Sequence, residues 1–145
     1  QRPENVELVG DSEEVDPEYE DISVSTLMEA FERVMKRLPK QTRHLVEAET
    51  VRIEDRIEEM ILILMKKQHC LFEELFAGDK SKLWFIITFM ALLEMARLRL
   101  ITIVQVEQHG AIHCTRHENF DQNIIEWYNL QRGEDQEESA MLKAS

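Results

Sequence analysis

The chain has 145 residues, 43% of them hydrophobic and 32% charged, with four Gly, three Pro and two Cys. That allows one modest core plus tails and excludes a disulfide framework. The net charge of −12 sits at the ends: residues 1–22 hold nine acids against one base and residues 117–145 seven against two, while residues 50–116 hold nine of each. A neutral middle between acidic ends lacks the basic footprint of a direct nucleic-acid binder.

No positively charged segment leads into an apolar run, so no secretory signal is expected. Seven Met and only two Cys fit a reducing, cytosolic setting. The chain starts at Gln1 and reads as a piece of a longer protein.

Residues 1–22, QRPENVELVGDSEEVDPEYEDI, are acidic, carry Pro3, Gly10 and Pro17, and show no hydrophobic period. They read as a flexible linker. Residues 23–43 form the next unit, built on an amphipathic helix. Leu27, Phe31, Val34 and Leu38 recur at helical spacing, with Met28 and Met35 beside them. Thr26 and Glu29 resemble a capping box. Arg33, Lys36 and Arg37 suit the negative end of the helix dipole, and Pro39 ends it. Such a helix packs either on its own domain or in a partner's groove.

Residues 44–116 read as one domain. RHLVEAETV, 43–51, is expected to be extended. A helix opens at Glu54 and Asp55 and runs to Lys67, with Ile57, Met60, Ile61, Leu64 and Met65 on its apolar side. QHC, 68–70, reads as a connector. LFEELF, 71–76, is a short helix closed by Gly78, and GDKS, 78–81, a turn. A third helix spans 81–97. RLITIVQV, 99–106, is a strand, EQHG a turn and AIHCT, 111–115, the returning strand. This order predicts a mainly α fold with a small β-hairpin, a winged helix-turn-helix domain preceded by a linker and an amphipathic helix. Residues 117–145 read as a short helix over 118–131 followed by an acidic tail.

The third helix carries the most apolar run, KLWFIITFMALLEMARLRL from Lys82 to Leu100. A membrane span needs about 20 largely uncharged residues, and Glu94, Arg97 and Arg99 interrupt the run first. At about 100° per residue, Phe85, Phe89, Leu92, Leu93 and Ala96 share an apolar arc that reads as the core face. Leu83, Ile87 and Met90 form a second stripe on the solvent side, near Glu94 and Arg97. A winged helix that reads DNA presents Arg, Lys, Asn or Gln there. An apolar stripe reads bases poorly and releases no counterions, so it is either covered by the chain's own long flanking segments or offered to a protein partner.

His-Cys occurs twice, at 69–70 and 113–114, with His117 nearby. Adjacent strand residues face opposite ways, and Cys-x-x-Cys is absent, so these read as ordinary edge and core residues. Paired carboxylates such as Glu58–Glu59 point apart on a helix. Nucleophile motifs and phosphate loops are absent. No catalytic residue, metal or cofactor is expected.

The stretch from Arg52 to Cys114 resembles the C-terminal winged helix of the bacterial kleisins, the segregation and condensation protein A (ScpA) family. The resemblance rests on FEELF (Phe72 to Phe76), TFMALLEMARL (Thr88 to Leu98), the strand with Gln105 and the turn with Gly110 and Ile112. TLMEAFERVMKRL, 26–38, resembles the segment upstream of that domain. The chain departs from the family at Leu71, where a small hydroxyl residue usually caps the short helix, at Leu83 and Trp84, usually polar, and at His109, often aromatic.

The resemblance implies a non-enzymatic subunit of an SMC condensin-like complex acting in chromosome condensation and segregation, cytoplasmic and nucleoid-associated. Its winged helix would bind an SMC ATPase head and its middle region a dimer of the accessory subunit ScpB, with DNA engaged only indirectly and no membrane. The family's N-terminal domain would be missing from this chain. The candidates for docking on the head are Leu83, Ile87, Met90, Leu98, Leu100, Ile101, Ile103 and Ile112, some of the hairpin residues being core. Those for the accessory subunit are Leu27, Phe31, Val34 and Leu38. The rival reading is a winged-helix transcription regulator binding DNA as a dimer. It needs basic residues on the third helix or wing, and the wing tip is Glu107, Gln108, His109 and Gly110.

Overall fold

A computed structural model of the chain describes residues 22–38, 51–78 and 80–144. In order, its elements are α1 (Val24–Lys36), α2 (Ile53–Lys67), β1 (His69–Leu71), a 3₁₀ helix (Phe72–Phe76), α3 (Lys82–Arg97), β2 (Ile101–Gln105), β3 (Ile112–Arg116) and α4 (Phe120–Ala144). The strands form an antiparallel sheet in the order β1–β3–β2. This is the mainly α winged helix-turn-helix the sequence predicts. Residues 43–50 of the expected extended segment lie outside the described residues.

Several helix ends have an identifiable cause. Ser23, not Thr26, caps α1: its Oγ accepts the Thr26 N–H at 3.1 Å. Ser81 does the same for α3, accepting the Trp84 N–H at 3.1 Å. The α3 C-terminus turns through Arg99 at φ 61°. Leu100 N–H then donates to Met95 O and Arg99 N–H to Ala96 O, a Schellman closure that folds Leu100 back onto Met95. Gln68 at φ 66° ends α2. There the Arg116 side chain reaches across from β3, its Nε donating to Leu64 O at 2.8 Å and its Nη2 to Met65 O at 2.7 Å.

QHC is not a plain connector. His69, Cys70 and Leu71 pair with Thr115, Cys114 and His113 of β3, so the wing sheet gains a third strand. The 3₁₀ helix lacks a hydroxyl cap at Leu71. Instead the Glu74 carboxylate reaches back to accept the Leu71 N–H at 3.1 Å, and Lys67 Nζ donates to the same oxygen at 3.3 Å.

The core lies between α2, α3 and the sheet, with Ile57, Met60, Ile61, Leu64, Phe72, Phe85, Leu92, Met95 and Cys114 fully enclosed. Met65, expected on the apolar side of α2, is exposed. Helix α1 shares this core through Leu27, Ala30 and Val34. Its Phe31 stacks on Phe89 of α3 with ring centroids 4.5 Å apart and lies 5.7 Å from Phe76.

The C-terminal helix is far longer than the short helix expected over 118–131: α4 runs 25 residues to Ala144. Phe120 and Trp127 anchor it in the core, and Asn123 Nδ2 donates to Arg99 O at 2.9 Å. The segment taken for a tail is rich in Glu, Gln, Ala, Met, Leu and Lys, all good helix formers, and Gly133 costs only about 1 kcal/mol within such a run.

Candidate functional site

The surface of interest is the outward side of α3 together with the wing. Thr88, the lone polar side chain between Leu83 and Leu93, is fully buried. It accepts a hydrogen bond from Arg56 Nε at 2.8 Å. Arg56 is itself buried, and its Nη2 donates to Leu75 O at 2.7 Å and its Nη1 to Glu59 at 2.9 Å. Burial pulls its pKa below the usual arginine value, and Glu59 opposes that. The guanidinium lies 4.2 Å from the Trp84 ring centroid, and Lys80 Nζ lies 5.6 Å from it.

This cluster corrects the angular reading of α3. The buried set is Trp84, Phe85, Thr88, Phe89, Ala91, Leu92 and Met95. The core arc is therefore wider than expected and turned toward Trp84, with Leu93 and Ala96 only half-buried at its margin. A single helix cannot reveal this, because α2 supplies the arginine that covers Trp84 and pairs with Thr88.

The second stripe keeps its place. Leu83 is 37% and Met90 44% exposed, and Ile87 is half-buried between them. Arg97 closes the stripe at one end in a hydrogen-bonded pair with Glu94, its Nε donating to Oε1 at 3.1 Å. Along the stripe itself, from Leu83 to Met90, no basic side chain occurs.

The hairpin candidates lie elsewhere. Leu100, Ile101, Ile103 and Ile112 are buried, and Leu98 is half-buried. One face of the sheet packs on the helices, and the Schellman turn places Leu100 inside, so these four are core side chains rather than a free surface. At the wing tip, Val106 is an exposed apolar residue that the sequence reading missed. Gln105 Nε2 donates to Gly110 O at 2.9 Å, and Gly110 N–H to Glu107 O at 2.8 Å, which holds the tip closed around His109 at φ 64°.

The accessory-subunit candidates face the chain's own core. Leu27 and Val34 are buried, and Phe31 and Leu38 are half-buried and packed against it. On the outer side of α1, Val24 and Met28 are exposed.

The histidines and cysteines sort by strand face. His69 Nε2 and His113 Nδ1 lie 2.8 Å apart on the outer face of β1 and β3, with the rings stacked. Cys70 and Cys114 lie inside. Among the described residues, no group of three or more His, Cys, Asp or Glu side chains is placed to hold a metal ion, and no helix is long and apolar enough to cross a membrane.

A family model described as segregation and condensation protein ScpA matches residues 4–116. The segregation and condensation protein A of Myxococcus xanthus is 38% identical over 95 residues, covering 64% of this chain and 33% of that protein. That of Halothermothrix orenii is 31% identical over 114 residues, covering 72% of this chain and 46% of that protein. That of Xylella fastidiosa is 28% identical over 102 residues, covering 68% and 34%. The chain thus spans less than half the length of these relatives. No solved structure matches it significantly. With the family model matching most of its length, the chain belongs to the segregation and condensation protein A family.

Proposed function

We propose that this chain is the middle region and C-terminal winged helix of a kleisin, a non-enzymatic bridging subunit of an SMC condensin-like complex in chromosome condensation and segregation. The winged helix docks on an SMC ATPase head. The middle region, including α1 and its flanks, contacts an ScpB-like accessory subunit dimer. DNA is engaged only through the complex, in the cytoplasm at the nucleoid.

The observation that carries this reading is the stripe Leu83, Ile87 and Met90 on α3. A good bidentate base contact is worth about 1–3 kcal/mol, and every phosphate neutralised adds counterion release. The stripe offers neither. It offers apolar area, which gains free energy when a partner excludes water from it. Of the eight candidates for the head, these three and the half-buried Leu98 remain reachable without opening the core. On α1 the reachable apolar residues are Val24 and Met28.

The test is direct. The chain is mixed with isolated SMC heads and run on a size-exclusion column, and in parallel titrated with duplex DNA at low salt. Co-elution with the head and no duplex shift is the expected result. A sequence-dependent duplex shift without head binding sinks the reading.

A further inference from the structure

Cys70 and Cys114 are the two cysteines of the chain. Both are free thiols and both are buried. They stand directly opposite each other in the antiparallel β1–β3 pair. The register also sets the kind of pair. Arg116 N–H donates to Gln68 O, two residues away on each strand. Antiparallel pairs alternate between hydrogen-bonded and non-hydrogen-bonded, so Cys70–Cys114 is again a hydrogen-bonded pair, with Cα atoms about 5.5 Å apart. A disulfide spans about 4.4–6.8 Å between Cα atoms. The Cβ atoms of a hydrogen-bonded pair lie toward the far end of about 4.5–5.5 Å, against about 3.8 Å in a disulfide. Closure therefore needs a small inward shift of β1. That strand has three residues and lies at the sheet edge, paired on one side only, so the shift is inexpensive.

We propose that Cys70 and Cys114 form a reversible intramolecular disulfide that staples the edge strand β1 to β3 and fixes the position of the 3₁₀ helix that follows it. Opening of the short edge strand admits the oxidant, a small hydroperoxide. Cys70 is the attacking group. It lies on the edge strand, and the hydrogen bond from the Cys114 thiol holds its pKa below the usual thiol value against the opposing effects of burial and Glu74. That same bond and burial push Cys114 well above it.

The Cys70 thiolate attacks the O–O bond and becomes a sulfenic acid, and the alkoxide leaves and takes the Cys70 proton as an alcohol. The Cys114 sulfur then attacks the Cys70 sulfur. The S–S bond forms, the S–O bond breaks, and the departing hydroxide takes the Cys114 proton as water. The two thiols lose two electrons and two protons in all. The hydroperoxide is reduced to alcohol and water. The same opening of β1 exposes the bond to reductant, which keeps it labile. A dithiol returns both electrons and both protons and is itself oxidised to a disulfide.

The test uses the whole 145-residue chain folded in buffer with tert-butyl hydroperoxide. Free thiols are titrated after denaturation, and the intact mass is measured. The expected result is a fall from two free thiols to none, a mass lower by two hydrogen atoms, and a proteolytic peptide joining the segments around Cys70 and Cys114. The urea midpoint rises, the β1 amides exchange more slowly, and dithiothreitol reverses each change. Retention of both thiols overturns the proposal, as does oxidation to oxygen adducts or disulfide-linked dimers. In the Cys114→Val variant, Cys70 is left without its partner. Dimedone then traps its sulfenic acid, which has no thiol to resolve it, several-fold more than it traps Cys114 in the Cys70→Val variant, and equal trapping in the two variants overturns the order of attack.

Discussion

The Arg56 guanidinium lies 4.2 Å from the centre of the Trp84 ring, with its edge donating to Thr88 Oγ1 and Leu75 O. This one side chain ties α2, the 3₁₀ helix and α3 together from inside. Its charge is taken out of water against Glu59, the one carboxylate that pairs with it among the described residues, and Glu59 is itself largely exposed. The hydrogen bonds and the ring therefore offset the cost of burial.

Removing Arg56 leaves Thr88 and the Leu75 carbonyl without their donor in a dry setting. Arg56→Ala should destabilise the chain by about 3 kcal/mol. Arg56→Lys should recover only part, because one ammonium cannot reproduce the fork. Urea unfolding measures both, and an unchanged midpoint in Arg56→Ala would contradict the role.

The stripe on α3 makes a separable prediction. Leu83→Glu with Met90→Glu puts charge on exposed positions, so the fold and urea midpoint should change little. Affinity for the SMC head should fall at least about tenfold, as expected for apolar anchors at an interface centre. Calorimetric titration of folded variant against head reads this. Undiminished affinity would move the docking surface elsewhere.

Phe31 is half-buried, yet it stacks on Phe89 and tilts against Phe76. Phe31→Ala should cost about 2 kcal/mol, below the usual loss for a fully buried Phe. Proteolysis should then cut within α1 before the winged helix. Uniform cutting across the chain would show that α1 is no weaker than the rest.

Glu74 gives a pH dependence. The Leu71 N–H, and then Lys67, hold its carboxyl below the usual Glu value. A depressed folded pKa contributes stability above the unfolded value of about 4.3, and that stability is lost as pH falls through the folded value. The midpoint gap between the parent and Glu74→Gln should be full at neutral pH and close under acid, below about pH 4. A gap that widens with acid would reverse the assignment.

Gly78 sits at φ +104°, open to solvent but in backbone that L side chains rarely adopt. Gly78→Ala should cost about 1–2 kcal/mol. Melting temperature reports it, and a neutral substitution would mean that the turn relaxes.

Where the sequence was legible, the signal was local. The third helix is read over 81–97 and found at Lys82–Arg97, Arg116 ends β3 within a residue of its expected end, and the β-branched run around Ile101 and Ile103 marks the second strand. What escaped depends on contacts distant in sequence. Three residues of β1 carry no period, so pairing with β3 alone makes them a strand. The core arc read from α3 omits Trp84 and Thr88 because the Arg56 that covers one and bonds the other comes from another helix. Leu100 and Ile112 looked available because strand alternation does not say which face is covered. The apolar stripe at Leu83 and Met90 was legible because nothing distant among the described residues covers it.

Phe31 also decides how the chain responds to tension. In the proposed bridging subunit, a pull from the N-terminal side reaches the fold through α1, which among the described residues holds to the rest by side chains and not by backbone pairing. The sheet resists by backbone pairing. α1 should therefore peel off first, leaving the winged helix standing. Its 13 residues lengthen from about 20 Å as helix to about 45 Å when extended. Optical-trap extension should show this step, roughly 25 Å, ahead of the main rupture. The stack on Phe89 is then a mechanical fuse, giving slack to the tether before the docked domain is strained.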